Sequence, residues 1–383
     1  MDNAQARRKA ADIYKRVTEG GDPAREAKRE TDTRLKRGKN VEWLIGEFIK
    51  RHAEPNCVES TTRAYKNFFD NWVIPAIGTR PCGSIKKGDL IEMFNAVADG
   101  DEKTWPGKEG NAKTAERVRI YCGVLFNWAA SEDLVEHSPS VGIKQRAPKE
   151  ERERVLSDSE IRAIWEAAGE LGIYGQLVRF LFLTGQRSGR TSTVLRSELT
   201  LGESPIWLSP QNSEKNKSKR NHETPLSPQA LDVLNKVFAL ADQEYVFPAR
   251  RAQYRGNGGY TYEILDKPMS GWSKLKDKLD IACGCRSATE KDEDGKPQLL
   301  WNEDWRLHDI RRTLGTRLGD LNVPINIISR ILDHKEGGVT KIYNRAQYMQ
   351  RKRDALNAWG RRLDQIINPG SGDNVVALPT RAG

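Results

Sequence analysis

A basic stretch with few apolar residues, residues 143–156, separates two blocks of patterned sequence in this chain of 383 residues. It surrounds Pro148, and its basic side chains are Lys144, Arg146, Lys149, Arg152 and Arg154. Such a composition is typical of an interdomain linker. A chain of this length also exceeds the size at which one hydrophobic core usually stops growing. The sequence therefore predicts two or three domains joined through this stretch.

The block before the linker, residues 40–142, has the apolar spacing of α-helices. Val41, Leu44, Ile45, Phe48 and Ile49 fall on one helical face. Further helical patterns follow a Ser-Thr-Thr start at residues 60–62, and lie at 89–97 and 112–130. About four helices with interleaved basic residues indicate a small helical domain. Residues 1–39 form only a thin, highly charged helical stripe.

The block after the linker, residues 157–368, combines helices with short strands. Ser157 and Glu160 form a capping box, and residues 174–184 are apolar on all sides, as in a buried helix. Strands around a polar turn are predicted within 205–226, helices at 227–240 and 308–363, a surface insertion at 284–300, and a flexible tail at 369–383. The predicted fold is mainly α with a small β-sheet.

Charge and cysteine content limit the classes of binding partner and the cellular compartments that fit this chain. A formal net charge of +10 and a pI near 9.3 suit a polyanionic partner, although a merely basic protein fits equally well at this point. No segment has the roughly 20 apolar residues of a membrane span, and no amino-terminal signal sequence is present. Five scattered cysteines indicate reduced thiols in the cytoplasm. Cys283-Gly284-Cys285 lacks the spacing of a zinc knuckle and is interpreted as a loop.

A few residues of the second block could bind a phosphate together. Arg187 follows a buried helix and a glycine turn, where its guanidinium can be held rigidly, although, taken alone, a structural salt bridge is the more common reason for such an arginine. His308 and Arg311 are three positions apart on one helical face and can converge on one ligand. His334 ends the helix that starts after Pro324, with Ile325, Ile328, Ile331 and Leu332 expected inward, and Tyr343 follows nine residues later. Planar guanidiniums bind phosphate oxygens in pairs.

This ordered set resembles the tyrosine recombinase, or phage integrase, family. The matching boxes are Thr-Gly-x-Arg at 184–187, His-x-x-Arg at 308–311, Leu-x-His at 332–334, and the tyrosine nine residues on. The residues that flank these boxes resemble those of the prophage and genomic-island integrases, and the resemblance covers residues 41–365. It implies a site-specific recombinase that cleaves and rejoins double-stranded DNA through a 3′-phosphotyrosyl bond to Tyr343, without metal or ATP.

The resemblance also implies roles for the remaining side chains. Arg187, Arg311 and His334 would hold the phosphate oxygens, and His308 would either accept the tyrosine proton or support the phosphate. A family lysine lies on a β-hairpin about eight residues before a Pro-Leu pair, which selects Lys217 over Lys215 and Lys219 relative to Pro225. Lys217 would protonate the departing 5′ oxygen. Tyr348 is five residues too late for the nucleophile and is expected to pack.

One position departs from the family pattern. Three residues after Arg187, where the family carries Glu or Asp, this chain has Arg190, while the later acidic residue Glu198 is retained. Arg190 is expected to repel Arg187 and oppose the helix dipole, so that Arg190→Glu would raise stability and cleavage rate. The departure also makes a non-catalytic DNA-binding descendant a possible alternative.

The family resemblance implies an organisation and partners. Residues 1–39 would be the closing helix of an arm-binding module, 40–142 a core-DNA-binding domain, and 157–368 the catalytic domain. Expected partners are attachment-site DNA, three further copies in a tetramer, an excision factor and a host DNA-bending protein, in the cytoplasm at the nucleoid. A type IB topoisomerase, which shares the chemistry, is a second alternative. Trp128, Trp165, Trp207 and Trp359 are expected in cores rather than against bases.

Overall fold

The computed structural model describes residues 39–148, 152–213, 221–254, 260–334 and 345–369, together with residues 11, 14, 15, 17, 18 and 22. The chain divides into two compact units, Met1–Glu151 and Arg152–Gly383. The longer helices of the first unit are α1 (Val41–Phe48), α2 (Glu59–Phe68), α3 (Lys87–Asp99) and α4 (Ala112–Ser131). Helices α1 and α2 each continue through a π-helical turn, Ile49–Ala53 and Phe69–Val73.

The first unit is helical because its apolar residues recur at the helical period. The stripe from Val41 to Ile49 is buried as predicted. Asn40 starts α1 by accepting a hydrogen bond from the amide of Trp43, and Asn111 caps α4 through the amides of Lys113 and Thr114. The helices enclose an apolar core that contains Phe48, Phe69, Phe94, Phe126 and Trp128.

The second unit contains helices and small antiparallel sheets. Its helices are α5 (Asp158–Gly169), α6 (Gly172–Thr184), α7 (Ser188–Thr191), α8 (Pro228–Leu240), α9 (Trp272–Ala282), α10 (Leu307–Asp320), α11 (Ile325–Ile331) and α12 (Arg345–Ile367). Its strands are β1 (Leu199–Thr200), β2 (Ile206–Ser209), β3 (His222–Pro225), β4 (Pro248–Tyr254), β5 (Tyr260–Pro268), β6 (Arg286–Lys291) and β7 (Pro297–Leu299). The predicted fold class, mainly α with small sheets, is confirmed.

Helix α6 forms the centre of the second core. All of its residues from Ile173 to Thr184 are buried except Arg179, as the uniform apolarity predicted. The capping box at Ser157 is present, with the amide of Glu160 bonded to the Ser157 hydroxyl. Trp207 and Trp359 are fully enclosed, Trp165 packs against this core, and Trp128 lies in the first core. The expectation that these tryptophans serve packing is confirmed.

The sheet β1-β2-β3 frames the hairpin that was predicted to carry a functional lysine. Strand β2 pairs antiparallel with β3, and Ser209 stands opposite His222 at the open end of the ladder. One further bond, from the Gln211 amide to the side-chain oxygen of Asn221, continues the pairing beyond the strands. The connection between these strands, residues 214–220, lies outside the described residues.

Three features of the second unit differ from the predictions. Ile325 is 77% exposed rather than inward, because it occupies the first turn of α11 and the buried positions are Ile327, Ile328 and Ile331. The β4-β5 hairpin and α9 were not predicted. Strand β4 has little alternation of apolar and polar residues, and its side chains from Arg250 to Gln253 are exposed.

The predicted linker is attached to its neighbours at both ends. Ile143 is buried in the first core, and the amide of Arg146 donates to the Glu116 carboxylate at 2.8 Å. Arg154 forms an ion pair with Glu160 at the other end. Residues 149–151 lie outside the described residues. Among the helices that the structure describes, none is long and apolar enough to cross a bilayer.

Candidate active site

The turn that follows α6 presents Arg187 at a fixed position. Gly185 ends the helix at φ 63°, a left-handed conformation that favours glycine, and a Cβ there would lie 3.0 Å from a methyl of Leu314. The buried side-chain amide of Gln186 donates to the carbonyls of Thr184 at 3.1 Å and Ile331 at 2.8 Å. Arg187 then caps α7, and its carbonyl accepts the amides of Arg190 and Thr191.

Arg311 lies at the base of the same site. It is 4% exposed and comes from the first turns of α10. Its guanidinium donates to the Gly185 carbonyl at 2.9 Å and to the Leu332 carbonyl. Arg311 thus joins the turn before Arg187 to the turn before His334. The structure brings together three of the sequence boxes that the resemblance identified.

Asp333 is the site residue that sequence reasoning missed. Its carboxylate is 6% exposed, with Oδ2 3.5 Å from Nη1 of Arg187 and Oδ1 3.7 Å from Nδ1 of His222. The backbone of Asp333 has φ 51°, a conformation that Asp and Asn adopt more readily than most residues. The available signal was its place between Leu332 and His334 within the third box.

Among the residues that the structure describes, the charges at the site leave an excess of positive charge. Arg187 and Arg311 there face one carboxylate, that of Asp333, so these three groups sum to one positive charge. Burial and, to a smaller extent, the charge of Arg187 together lower the pKa of Arg311 to about 9, and Asp333 opposes both effects. A buried cation that lacks sufficient negative charge nearby is costly. The site is therefore electrostatically suited to one added anion.

The two histidines lie at the surface of this basic centre. His308 and His334 have exposed side chains. Partial removal from water lowers the pKa of each, and so do neighbouring arginines, chiefly Arg312 for His308 and Arg311 for His334. Both imidazoles are thus kept mainly neutral near pH 7. A neutral imidazole can donate one hydrogen bond to a phosphate oxygen or accept one proton.

Asp309 fixes the helix start that carries His308 and Arg311. It is fully buried, accepts the Arg306 amide at 2.8 Å, and binds the guanidiniums of Arg152 at 3.1 Å and Arg312 at 2.6 Å. A carboxylate at a helix amino terminus is stabilised by the helix dipole as well as by its amide bond.

Arg190 has a partner, contrary to the expected repulsion of Arg187. The side chain is 6% exposed, and its Nη2 lies 2.5 Å from Oε2 of Glu198. Its other nitrogens donate to the Ser209 hydroxyl at 2.7 Å and the Thr193 carbonyl at 3.0 Å. Glu198 also accepts the indole N–H of Trp207 at 3.1 Å. The expected surface repulsion is wrong, because Glu198 supplies the compensating carboxylate.

Lys217 and Tyr343 lie outside the described residues, as do Lys215 and Lys219. The structure describes the elements beside them: β2 and β3 on either side of residues 214–220, and α12 from Arg345 onward. Tyr348 packs against the second core, with the guanidinium of Arg330 3.9 Å above its ring. Its expected packing role is confirmed.

Cys283 and Cys285 are core residues of the second unit. Burial raises the pKa of Cys283 to about 11 and that of Cys285 to about 12, so both are protonated thiols at neutral pH. Within the described residues, the structure groups no three or more His, Cys, Asp and Glu side chains as a metal site.

Comparison with known proteins settles the family. A model of the phage integrase family matches residues 154–350, and a model of the phage integrase central domain matches residues 42–146. The chain belongs to the phage integrase family. Prophage integrase IntZ of Escherichia coli (strain K12) is 24% identical over 380 residues, covering 95% of this chain and 81% of IntZ. The integrase of Shigella phage Sf6 is 21% identical over 374 residues, covering 95% and 84%.

Solved integrase structures share the fold. A lambda integrase tetramer bound to a Holliday junction aligns with a TM-score of 0.56 at 16% identity, over 90% of this chain and 91% of that one. The Tn1549 transposon integrase in complex with a circular intermediate DNA aligns with a TM-score of 0.54 at 15% identity, over 85% of this chain and 99% of that one. The resemblance to tyrosine recombinases, found from four short boxes, is confirmed at the level of family and fold.

Proposed function

We propose that this integrase is a site-specific DNA recombinase that breaks and rejoins DNA through a 3′-phosphotyrosyl bond to Tyr343. The observation that carries the proposal is the pair of guanidiniums, Arg187 and Arg311, held beside the carboxylate of Asp333. A DNA phosphodiester would supply the missing negative charge. The DNA-bound lambda and Tn1549 integrases, which share the fold, support DNA as the partner.

The arginines would act most strongly in the transition state. Attack on the phosphorus adds negative charge to the non-bridging oxygens, and preorganised donors stabilise that charge without reorganising. Arg311 is fixed by the Gly185 and Leu332 carbonyls, and Arg187 by α7 and Asp333. His334 would donate to the same oxygens from the surface.

The bond changes balance without a cofactor. The Tyr343 oxygen forms a bond to phosphorus, the bond to the 5′ oxygen breaks, and Lys217 gives that oxygen a proton. The proton of the tyrosine passes to His308 or to water, because a neutral phenol with a pKa near 10 is a poor nucleophile. Attack by a 5′ hydroxyl of another strand reverses these steps and releases Tyr343. One phosphodiester replaces another, so no nucleotide is consumed.

The two units would have different roles, one in binding the core site and the other in catalysis. Residues 40–142 would grip the core site as a helical core-binding domain, residues 143–156 would link it, and residues 157–368 would carry the catalysis. The tetramer seen for lambda integrase on a Holliday junction supports a tetramer on two paired sites here. An excision factor and a host DNA-bending protein complete the proposed partners, and the site of action is the cytoplasmic nucleoid.

The experiment is covalent trapping. The wild-type protein is incubated with DNA fragments of the element that encodes it, denatured, and the attached DNA is sequenced. Adducts at one recurring sequence are expected, and Tyr343→Phe should abolish them while leaving DNA binding intact. Tyr348→Phe, at the neighbouring packed tyrosine, is the matched control and should retain them. Relaxation of plasmids without paired sites would instead favour a type IB topoisomerase.

A further inference from the structure

We propose that Lys352 is a positioning residue that joins the helix following Tyr343 to the strand following Lys217. The inference rests on the proposed function, which assigns the nucleophile to Tyr343 and the general acid to Lys217. Helix α12 begins two residues after Tyr343, and β3 begins five residues after Lys217. A contact between α12 and β3 therefore relates the two segments that must meet at one phosphate.

The contact is direct and buried. Lys352 is 8% exposed, and its Nζ donates to the main-chain carbonyl of Glu223 on β3. The next residue, Arg353, donates from Nη1 to the carbonyl of Pro205 at 3.1 Å. Farther along α12, the indole of Trp359 donates to the Phe182 carbonyl at 2.7 Å and fixes the helix to α6. The amino-terminal half of α12 is thus attached to the sheet, and its other half to the core.

The charge of Lys352 is linked to the candidate active site. Glu223 on β3 and Asp333 after α11 attract its ammonium group, and Arg330 on α11 repels it. Asp333 is also the carboxylate beside Arg187. A lysine is rarely buried unless it is paired, so a methionine of similar shape would pack here at lower cost. The buried ammonium group at this position therefore points to a role other than stability.

The contact should respond to mildly alkaline pH. Burial lowers the pKa of Lys352 to about 8, below the ordinary value of 10.5. The ammonium form therefore predominates below about pH 8 and is lost above it. The neutral amine still donates one hydrogen bond, but it no longer attracts Glu223 or Asp333. The link between α12 and β3 should weaken as pH rises through this range.

The test compares covalent adduct formation by wild type and Lys352→Met, using the attachment DNA recovered with the wild-type protein. Lys352→Met should melt at the same temperature or higher at neutral pH, yet form adducts more slowly by about tenfold, as expected for misplaced reacting groups. The ratio of the two rates should fall towards one above pH 8. Arg353→Met is the matched control, and its ratio to wild type should not change over this pH range because arginine stays charged.

The possible outcomes are distinct. Failure of the wild type to form any adduct would contradict the proposed function itself. Adduct formation by wild type with an equal Lys352→Met rate, or with a rate ratio that does not change with pH, would overturn the role of Lys352. If Lys352→Met does not fold, Lys352→Gln makes the same comparison, since it keeps a donor for the Glu223 carbonyl and removes the charge.

Discussion

The carboxylate of Asp333 lies between Arg187 and His222, 3.5 Å from Nη1 of the arginine and 3.7 Å from Nδ1 of the histidine. Arg187 follows α6, His222 opens β3, and Asp333 follows α11, so one buried carboxylate relates three separate elements. Its negative charge also raises the pKa values of Arg311 and His334 against the effect of burial. Asp333 thus sets both the position and the charge balance of the proposed phosphate site.

Asp333→Asn should slow single-turnover DNA cleavage by about tenfold or more while DNA affinity is kept or increased, since one negative charge is removed and Arg187 loses its ion pair. Asparagine also tolerates the positive φ of this position, so the backbone should be preserved. Asp320→Asn, which alters an exposed partner of Arg317, is the matched control. Normal cleavage by Asp333→Asn would remove this residue from the positioning of Arg187.

Arg190→Glu should destabilise the protein, the reverse of what the sequence suggested. The change would place two buried carboxylates, at 190 and 198, where an ion pair now stands. Loss of one partner of a buried pair costs about 3–5 kcal/mol. Arg251→Glu provides the comparison, because Arg251 pairs with Glu263 at the surface with its side chain 62% exposed, and such exposed pairs contribute little to stability. Thermal melting of both variants decides the point, and equal melting temperatures would contradict it.

The pKa values of His308 and His334 should lie below that of an ordinary histidine and should rise when DNA binds. Partial removal from water and the neighbouring arginines favour the neutral imidazoles in the free protein. Because their folded-state pKa values are depressed, the stability that they contribute is present above the unfolded value of 6.5 and is lost as pH falls. Nuclear magnetic resonance titration of the imidazole nitrogens, assigned with His308→Gln and His334→Gln, measures the two pKa values in the free protein and in the DNA complex. Unchanged pKa values on adding duplex DNA would place the phosphate elsewhere.

Lys217→Ala should slow cleavage of ordinary DNA far more than cleavage of DNA with sulfur in place of the bridging 5′ oxygen. A thiolate leaves without a proton, so the sulfur substrate bypasses the general acid. Lys215→Ala and Lys219→Ala are the controls within the same stretch of sequence and should affect the two substrates alike. An equal loss on both substrates for Lys217→Ala would assign the proton to another group.

The helices and cores could largely be predicted from the sequence because they depend on periodicity. The buried stripe from Val41, the enclosed α6 and the Ser157 capping box follow from spacing and residue type alone. The β4-β5 hairpin could not be predicted in this way, since the side chains from Arg250 to Gln253 are exposed and supply no alternation. Periodicity also failed at Ile325, because an apolar side chain at the first position of a helix can face solvent, as this one does.

The site shows what local patterns omit. The boxes identified Arg187, His308, Arg311 and His334, but not Asp333, whose role arises from contacts with residues 146 and 111 positions away. The surroundings of Arg190 also depend on residues that are distant in the sequence. Its proximity to Arg187 in the sequence suggested repulsion, whereas the fold brings Glu198, Ser209 and Trp207 around it. Whether a buried charge such as that of Arg190 has a partner is therefore decided by tertiary contacts, which the local sequence does not show.

The most direct test of the central claim is the identity of the residue that carries the DNA. Trapped wild-type adducts would be digested with protease and nuclease, and the modified peptide would be sequenced by mass spectrometry. The proposed function predicts a nucleotide joined through its 3′ phosphate to Tyr343. A nucleotide on Tyr348 or any other side chain, or a 5′ phosphate linkage, would contradict it.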